Sequence, residues 1–136
     1  MSEYKDYGWS SSEFTCAHEL FINPITKMLP LDGSPILDVG CGNGSFANYL
    51  IKKEYNVYGT DASKKGIEIA NTLNPDRFFI QDLSSDKLPL ELAEIKFKTI
   101  ISTEVIEHLY DLRKYIDFCK NILMNSGGGI NNFYTL

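Results

Sequence analysis

The chain has 136 residues, of which 43% are hydrophobic and 23% are charged. This is the size and composition of one globular domain with its own core, and it excludes a disordered, collagen-like or low-complexity chain. Thirteen Lys and Arg residues against eighteen Asp and Glu residues give a net charge of −5. This balance argues against duplex DNA as a partner, because phosphate backbones attract basic surfaces.

The sequence predicts a reduced, cytoplasmic protein without a membrane span. It contains no apolar run of about 18 residues. Charged residues such as Glu3, Lys5 and Glu13 occupy the segment in which a secretion signal needs an apolar stretch. The three cysteines are widely spaced and form no CxxC pair, so neither a zinc site nor a redox dithiol is expected.

Hydrophobic spacing predicts an alternating series of helices and strands. Apolar residues three or four positions apart indicate helices, and short apolar runs indicate strands that are covered on both faces. In chain order, the first elements are a helix over 13–29 that is interrupted near Pro24, a strand over 36–39, a helix over 45–53, a strand over 56–60 and a helix over 64–73. The later elements are a strand over 77–81, a short helix near 90–94, a strand over 99–103, a helix over 109–124 and a strand over 130–136.

This order of elements predicts an α/β fold with a mostly parallel sheet and right-handed crossovers. We expect a single domain, in which residues 1–34 form a helical and aromatic N-terminal extension and residues 35–136 form the core. In such a sheet, ligands bind beyond the carboxyl ends of the strands, where the strand order reverses. The residues that end each strand are therefore the first candidates for a site.

Three glycines follow the first predicted strand directly, at Gly40, Gly42 and Gly44. Glycine permits a tight turn and lets a ligand press against bare backbone at a helix N-terminus. The spacing is GxGxG rather than the GxGxxG of dinucleotide sites, which speaks against an NAD-dependent oxidoreductase. A tight turn in a domain that binds no nucleotide is the alternative.

Acidic residues end the next two strands. Asp61 lies 21 positions after Gly40, the distance at which a carboxylate accepts hydrogen bonds from ribose hydroxyls. Asp82 could accept the exocyclic amine of adenine, and Leu83 could offer its backbone amide to the ring. Asp38, inside the first strand, is expected to bond loop amides near the ligand. The glycine loop, Asp61 and Asp82 together predict a pocket for an adenosine with a 5′ substituent. The alternatives are a solvated strand end for Asp61 and a helix cap or loop residue for Asp82.

Four segments resemble the motifs of the class I S-adenosylmethionine-dependent methyltransferases: ILDVGCGNGSF (36–46), GTDAS (59–63), QDL (81–83) and IISTEVIEHL (100–109). The resemblance implies a Rossmann-like three-layer α/β/α fold, whose sheet usually has more strands than the five predicted here. It also implies S-adenosylmethionine as the cofactor. The cofactor contacts that it implies are Asp38, Gly40, Cys41, Gly42, Gly44, Asp61, Ala62, Asp82, Leu83, Thr103 and Glu104.

Within that family, the chain is similar to the ubiquinone-biosynthesis O-methyltransferases through EVIEHL (104–109) and INP (22–24). Residues 25–27 depart from the pattern, because that group carries an arginine near its Asn-Pro pair. The resemblance implies methyl transfer to a small-molecule acceptor, and in particular to an oxygen atom.

The chemistry on the acceptor side is assigned to three residues after the fourth strand. His108 would act as the catalytic base, or Glu104, Glu107 and His108 would hold a divalent ion such as Mg²⁺ that lowers the pKa of the acceptor. Their i, i+3, i+4 spacing groups them on one helix face. A solvated face with no chemical role is the alternative.

The fifth predicted strand reaches the last residue of the sequence. We expect its outer edge to expose backbone groups that favour a homodimer, and part of the acceptor pocket to be missing. The alternative to an active enzyme is a non-catalytic module that binds S-adenosylmethionine, or its demethylated product S-adenosylhomocysteine, and acts through a partner.

Overall fold

The computed structural model describes residues 25–82, 87–102, 111–125 and 132–135 of the chain. The strands in this part are β1 (Ile36–Val39), β2 (Val57–Asp61), β3 (Phe78–Ile80), β4 (Thr99–Ser102) and β5 (Asn132–Thr135). The helices are α1 (Ser45–Lys52), α2 (Lys64–Leu73) and α3 (Leu112–Met124), with a 3-10 turn at Leu90–Leu92 and a helical turn at 25–28. None of the described helices is long and apolar enough to cross a lipid bilayer.

The strands form one parallel sheet in the order β3-β2-β1-β4-β5. β1 lies at the centre, and the chain moves outward through β2 and β3 before β4 pairs with the other side of β1. The strand order therefore reverses between β1 and β4, which places the ligand-binding crevice of such a sheet at the carboxyl ends of these strands. The predicted parallel α/β sheet is confirmed.

Side chains alternate between the two faces of the sheet, and both faces are covered. On one face, Ile36 of β1 lies in a buried cluster with Phe46 of α1 and Ala70 of α2. On the other face, Leu37 of β1 lies in a second cluster with Phe118 of α3. The helices thus form two outer layers around the sheet, as the predicted three-layer α/β/α architecture requires.

The first described residues pack on the face that carries α1 and α2. Ile25 and Leu29 are buried in the core of that layer. The Tyr134 hydroxyl of β5 donates a hydrogen bond to the Met28 carbonyl oxygen at 3.0 Å. Residues 13–24 of the helix predicted over 13–29 lie outside the described residues. So do residues 109–110 of the helix predicted over 109–124, and residues 130, 131 and 136 of the last predicted strand.

The helices begin close to the carboxyl ends of strands. Ser63 Oγ accepts a hydrogen bond from the Gly66 amide at 3.0 Å and caps α2, and Asp111 Oδ1 accepts one from the Lys114 amide at 3.0 Å and caps α3. The N-cap of α1 is Gly44, which has a left-handed conformation and no side chain. The amide-rich ends of all three helices therefore face the same edge of the sheet.

Most element boundaries agree with the prediction to within a residue or two. β1 and α2 have the predicted bounds. β2 extends to Asp61 because this residue still pairs with Ile80 of β3. β3 is shorter than predicted, and the short helix predicted near 90–94 is a single 3-10 turn.

Candidate functional site

The loop between β1 and α1 has a backbone that only glycine adopts at low cost. Gly40, Gly42 and Gly44 have φ angles of 77°, 59° and 76°, in the left-handed region. The amides of Gly40 and Cys41 both donate to the carbonyl oxygen of Thr60, at 2.7 and 2.9 Å. The glycine loop, residues 40–44, is therefore fastened to the end of β2.

Gly44 also allows α1 and α2 to approach each other. A Cβ atom at position 44 would lie 2.5 Å from Ala70 Cβ, which no side chain tolerates without movement of a helix. Asn48 Nδ2 donates to the Ala70 carbonyl oxygen at 3.1 Å and holds the same contact. The sequence pattern alone did not predict this role, because the partner lies 26 residues away along the chain.

Asp61 joins the glycine loop to the start of α2. Its side chain is buried, Oδ2 accepts from the Gly42 amide at 2.9 Å, and Oδ1 accepts from the Ser63 amide at 2.8 Å. The prediction that Asp38 bonds the loop amides is therefore wrong for Gly42, because the carboxylate at the end of β2 reaches this amide. Both oxygens of this carboxylate therefore hold backbone amides on either side of the end of β2. Ala62 follows directly and is partly buried.

Asp38 lies within β1 and is 1% exposed. Within the described residues, its Oδ1 atom has no hydrogen-bond partner. Burial raises the pKa of this carboxyl to about 8, and the nearby charge of Asp61 adds to the effect. A hydrogen-bond donor or a positive charge placed beside Oδ1 would therefore stabilise this buried side chain.

Cys41, an expected cofactor contact, packs beneath the glycine loop against the core. A Cβ atom at Gly59, the β2 partner of Asp38, would lie 2.9 Å from Cys41 Sγ and 2.7 Å from the Phe78 ring. Burial raises the pKa of the Cys41 thiol well above its usual value. The thiol is therefore protonated near neutral pH and is suited to packing rather than to nucleophilic chemistry.

Gln81, directly after β3, is a residue to which the sequence assigned no role. It is 4% exposed, and its backbone amide donates to the Asp61 carbonyl oxygen at 2.9 Å. Its side-chain Nε2 donates to the Lys87 carbonyl oxygen at 3.0 Å, while Oε1 is buried without a partner among the described residues. Asp82, the predicted adenine contact, comes next and is exposed. The available sequence signal for Gln81 was its place as a polar residue between the apolar strand β3 and Asp82.

A side chain from α3, on the face of the sheet opposite to α1 and α2, contacts the end of β4. Tyr115 of α3 is buried, and its hydroxyl donates to Ser102 Oγ at 2.6 Å. Five predicted site residues lie outside the described part of the chain, namely Leu83, Thr103, Glu104, Glu107 and His108. Within the described part, no group of three His, Cys, Asp or Glu side chains is arranged to hold a metal ion.

The site thus brings together a glycine loop, a buried carboxylate at the end of β2 and a strand end at β3. A family model described as a methyltransferase domain matches residues 37–130. The chain belongs to this methyltransferase family. A ubiquinone biosynthesis O-methyltransferase from Paracidovorax citrulli is 32% identical over 137 residues, which cover 93% of this chain and 56% of that protein. One from Pelagibacter ubique is 31% identical over 98 residues, covering 72% and 41%.

Solved structures show the same fold. A TehB-like SAM-dependent methyltransferase from Corynebacterium glutamicum aligns with a TM-score of 0.63 and 32% identity, over 76% of this chain and 55% of that one. The PH0226 protein from Pyrococcus horikoshii aligns with a TM-score of 0.67 over 92% and 64%, and at 22% identity it supports the fold alone. The methyltransferase chain spans about half the length of the curated relatives that it matches.

Proposed function

We propose that this protein binds S-adenosylmethionine at the carboxyl edge of the sheet and transfers the methyl group to an oxygen of a small molecule. The observation that carries the proposal is the Asp61 carboxylate, which is fastened to the glycine loop through the Gly42 amide at 2.9 Å. This bond fixes an acceptor for ribose hydroxyls beside a stretch of bare backbone. The names of the relatives support the cofactor and the oxygen acceptor.

The residues at this edge fit such a cofactor. Gly40 and Gly42 would place bare backbone beside its amino-acid part, with Cys41 packed below them, while Gly44 would shape the loop through its contact with Ala70. Asp61 would accept the ribose hydroxyls, and Ala62 would line the ribose. Asp38 Oδ1, which has no partner among the described residues, would offer an acceptor to the positively charged end of the cofactor. Asp82 and the Leu83 amide would read the adenine, and Thr103 and Glu104 would border the same pocket.

The bound cofactor supplies an already activated methyl group on a sulfonium. The protein then has to hold the acceptor oxygen in line with that group, exclude water and remove the acceptor proton. We assign the proton transfer to His108. The alternative on the same residues is a Mg²⁺ ion held by Glu104, Glu107 and His108, and loss of activity in a chelator, restored by Mg²⁺, would favour it.

The proposal also covers the cellular location and the oligomeric state of the protein. We place the protein in the cytoplasm, where the cofactor is made and thiols stay reduced. Among the described strands, β5 pairs on one side only, with β4, so its outer edge can receive a second copy of the chain. A monomer at all concentrations in sedimentation equilibrium would remove the dimer from the proposal.

Calorimetric titration tests the cofactor site directly. The wild-type protein and Asp61→Ala are titrated with S-adenosylmethionine, with S-adenosylhomocysteine and, as a control ligand, with NAD. We expect saturable binding of the first two compounds and a loss of about 10- to 100-fold in Asp61→Ala, because hydrogen bonds to a charged group are removed. Asp32→Ala is the matched control, since Asp32 also accepts a backbone amide, from Ser34 at 3.0 Å, but at the opposite edge.

The outcomes separate the candidate functions. No binding of S-adenosylmethionine to folded wild-type protein, or tighter binding of NAD, would refute the proposal. Binding without methyl transfer to any member of a panel of small phenols and alcohols, with and without Mg²⁺, would leave the non-catalytic binding module as the function of this chain.

A further inference from the structure

The first turn of α1 follows the glycine loop directly, and Asn48 anchors it. The backbone amide of Asn48 donates to the Gly44 carbonyl oxygen at 2.8 Å, which closes the first helical turn after the N-cap. The Asn48 side chain is 5% exposed and lies against Ala70 of α2. Asn48 therefore belongs both to the end of the glycine loop and to the contact between the two helices.

The side-chain amide of Asn48 makes a hydrogen bond with each of its two polar atoms. Nδ2 donates to the Ala70 carbonyl oxygen at 3.1 Å, and Oδ1 accepts from Asn74 Nδ2 at 2.6 Å. A carbonyl oxygen can only accept, so the bond to Ala70 fixes which end of the Asn48 amide faces α2. Asn74 is the C-cap of α2, and the two bonds therefore hold α1 to the last turn of that helix.

These bonds add a fixed register to a contact between small residues. A Cβ atom at Gly44 would lie 2.5 Å from Ala70 Cβ and 3.2 Å from Asn48 Nδ2, so the helices meet closely at this point. Small apolar surfaces bring helices together without selecting one register, whereas a buried amide with fixed partners selects one. Asparagine is also a weak helix former, so packing alone does not account for it at a buried helical position.

The register of α1 matters because different elements hold the two ends of the glycine loop. The Gly42 amide donates to Asp61 Oδ2 at 2.9 Å, which ties the front of the loop to β2. The rear of the loop continues into α1, which the Asn48 side chain ties to α2. In the proposed function, the loop faces the amino-acid part of the cofactor, whereas Asp61 accepts the ribose hydroxyls.

We propose that Asn48 is a positioning residue for the amino-acid part of the cofactor: by fixing α1 against α2, its amide holds the glycine loop in the geometry that receives this part. The inference rests on the proposed function. Asn48 acts through the loop and does not have to touch the ligand. Loss of its amide should therefore weaken the binding of the amino-acid part and leave the contacts that β2 and β3 make with the adenosine.

The test compares S-adenosylhomocysteine with 5′-methylthioadenosine, which has the same adenosine and thioether but no amino-acid part. Both are titrated calorimetrically into the wild-type protein and into Asn48→Leu, whose new side chain is similar in shape but has neither donor nor acceptor. We expect Asn48→Leu to bind S-adenosylhomocysteine about 10-fold more weakly and 5′-methylthioadenosine within about 2-fold of the wild type. A merely structural role would lower both affinities by the same factor, because protein that is not competent binds neither ligand.

Asn71→Leu is the matched control, because it also removes two hydrogen bonds of an asparagine amide. Asn71 Nδ2 donates to the Phe78 carbonyl oxygen at 3.0 Å, and Oδ1 accepts from the Phe78 amide at 3.2 Å. These bonds tie α2 to β3 rather than to α1. We expect this variant to bind both ligands within about 2-fold of the wild type, even if it melts at a lower temperature. Thermal unfolding shows that each titrated protein is folded.

Asn74→Ala decides the question if Asn48→Leu does not fold. This change removes the bond from Asn74 Nδ2 to Asn48 Oδ1 at a partly buried position beyond α2, and it leaves the bond to Ala70 in place. We expect binding of S-adenosylhomocysteine to weaken by about 3-fold and binding of 5′-methylthioadenosine to stay unchanged.

The results that would overturn the inference differ from one another. Equal changes for both ligands, or no change, in the variant that decides the test would refute the role of Asn48 alone. A selective fall of the same size in Asn71→Leu would mean that any loosening of α2 has this effect, which also refutes it. Wild-type protein that binds S-adenosylhomocysteine but not 5′-methylthioadenosine would show that the two parts of the ligand do not bind independently, against the inference. Wild-type protein that binds neither compound would refute the proposed function itself.

Discussion

At the amino edge of the sheet, polar groups are satisfied locally and in contact with solvent. Asp32 Oδ1 accepts from the Ser34 amide at 3.0 Å, and Asn56 Oδ1 accepts from Arg77 at 2.7 Å. The Arg77 guanidinium also stacks on the Tyr58 ring, 4.4 Å from its centroid. The turn at Gly33 also has free space around it, since a Cβ atom at this position would meet nothing within 4 Å.

At the carboxyl edge, polar groups are buried and several have no partner. Asp38 Oδ1, Thr60 Oγ1 and Gln81 Oε1 lie in or directly after the last half of a strand, without partners among the described residues. The fourth such atom, Thr99 Oγ1, lies at the start of β4 and is the exception. Buried acceptors without partners lower the stability of a protein by themselves. Their grouping at one edge agrees with the proposal that a ligand with several donors binds there.

The largest expected contrast between the edges concerns two glycines with nearly the same φ. Gly44→Ala should lower the free energy of unfolding by about 3 kcal/mol, because a left-handed residue gains a Cβ and that atom collides with Ala70. Gly33→Ala should cost only about 1 kcal/mol, since the conformational penalty acts there without a collision. Urea unfolding of both variants measures the difference. Equal costs would mean that the close approach of α1 and α2 at Gly44 contributes nothing.

The stability contributed by Asp38 at the carboxyl edge and by Asp32 at the amino edge should change with pH in opposite directions. The folded-state pKa of Asp38 is raised from 3.8 to about 8, so the folded protein binds the extra proton across this window. The contribution of this group to the stability of the folded protein is therefore complete below about pH 4 and is lost as the pH rises toward 8. Relative to the wild type, the free energy of unfolding of Asp38→Asn should rise by about 2 kcal/mol between about pH 5 and pH 8. One titrating proton can change this free energy by at most about 1.4 kcal/mol per pH unit. Urea unfolding at several pH values measures this gain.

Asp32→Asn is the control for that series. The hydrogen bonds from Ser34 lower the pKa of Asp32, so its contribution is present above the ordinary pKa and is lost as the pH falls. The difference between this variant and the wild type should shrink on acidification. A difference between Asp38→Asn and the wild type that does not change with pH would show that Asp38 ionises normally in the folded protein.

Local sequence signals were sufficient for the elements that begin and end on strong cues. The bounds of β1 follow from a break before it and a glycine after it, and α2 begins after the Ser63 cap. Asp61 and the three glycines were identified because chemistry and spacing select them without knowledge of the fold. The parallel direction of the strands follows from their alternation with helices, whereas the order β3-β2-β1-β4-β5 comes from the structure.

Contacts between distant residues were not accessible in the same way. The sequence indicated Asp38 for the loop amides because it lies among apolar residues inside the first strand, whereas Asp61 on the neighbouring strand reaches the Gly42 amide. The approach of Gly44 to Ala70 and the tie from Gln81 to Lys87 depend on how helices and loops pack, which no local period encodes. The candidate ligand-binding residues were therefore easier to predict than the residues that hold the loop and the helices around them.

The smallest predicted effect compares Thr60 with Thr99, two fully buried threonines whose Oγ1 atoms have no partner within the described residues. Replacement by the isosteric valine should stabilise the empty protein by about 1 kcal/mol in each case, because a desolvated hydroxyl is removed without a change of shape. Thr60→Val should then bind S-adenosylhomocysteine about 3- to 10-fold more weakly, since its hydroxyl belongs to the edge that the ligand completes. Thr99→Val should bind as the wild type does. If calorimetry shows the same affinity for both variants, Thr60 is as distant from the ligand as Thr99, and the open acceptors that define the site reduce to Asp38 and Gln81.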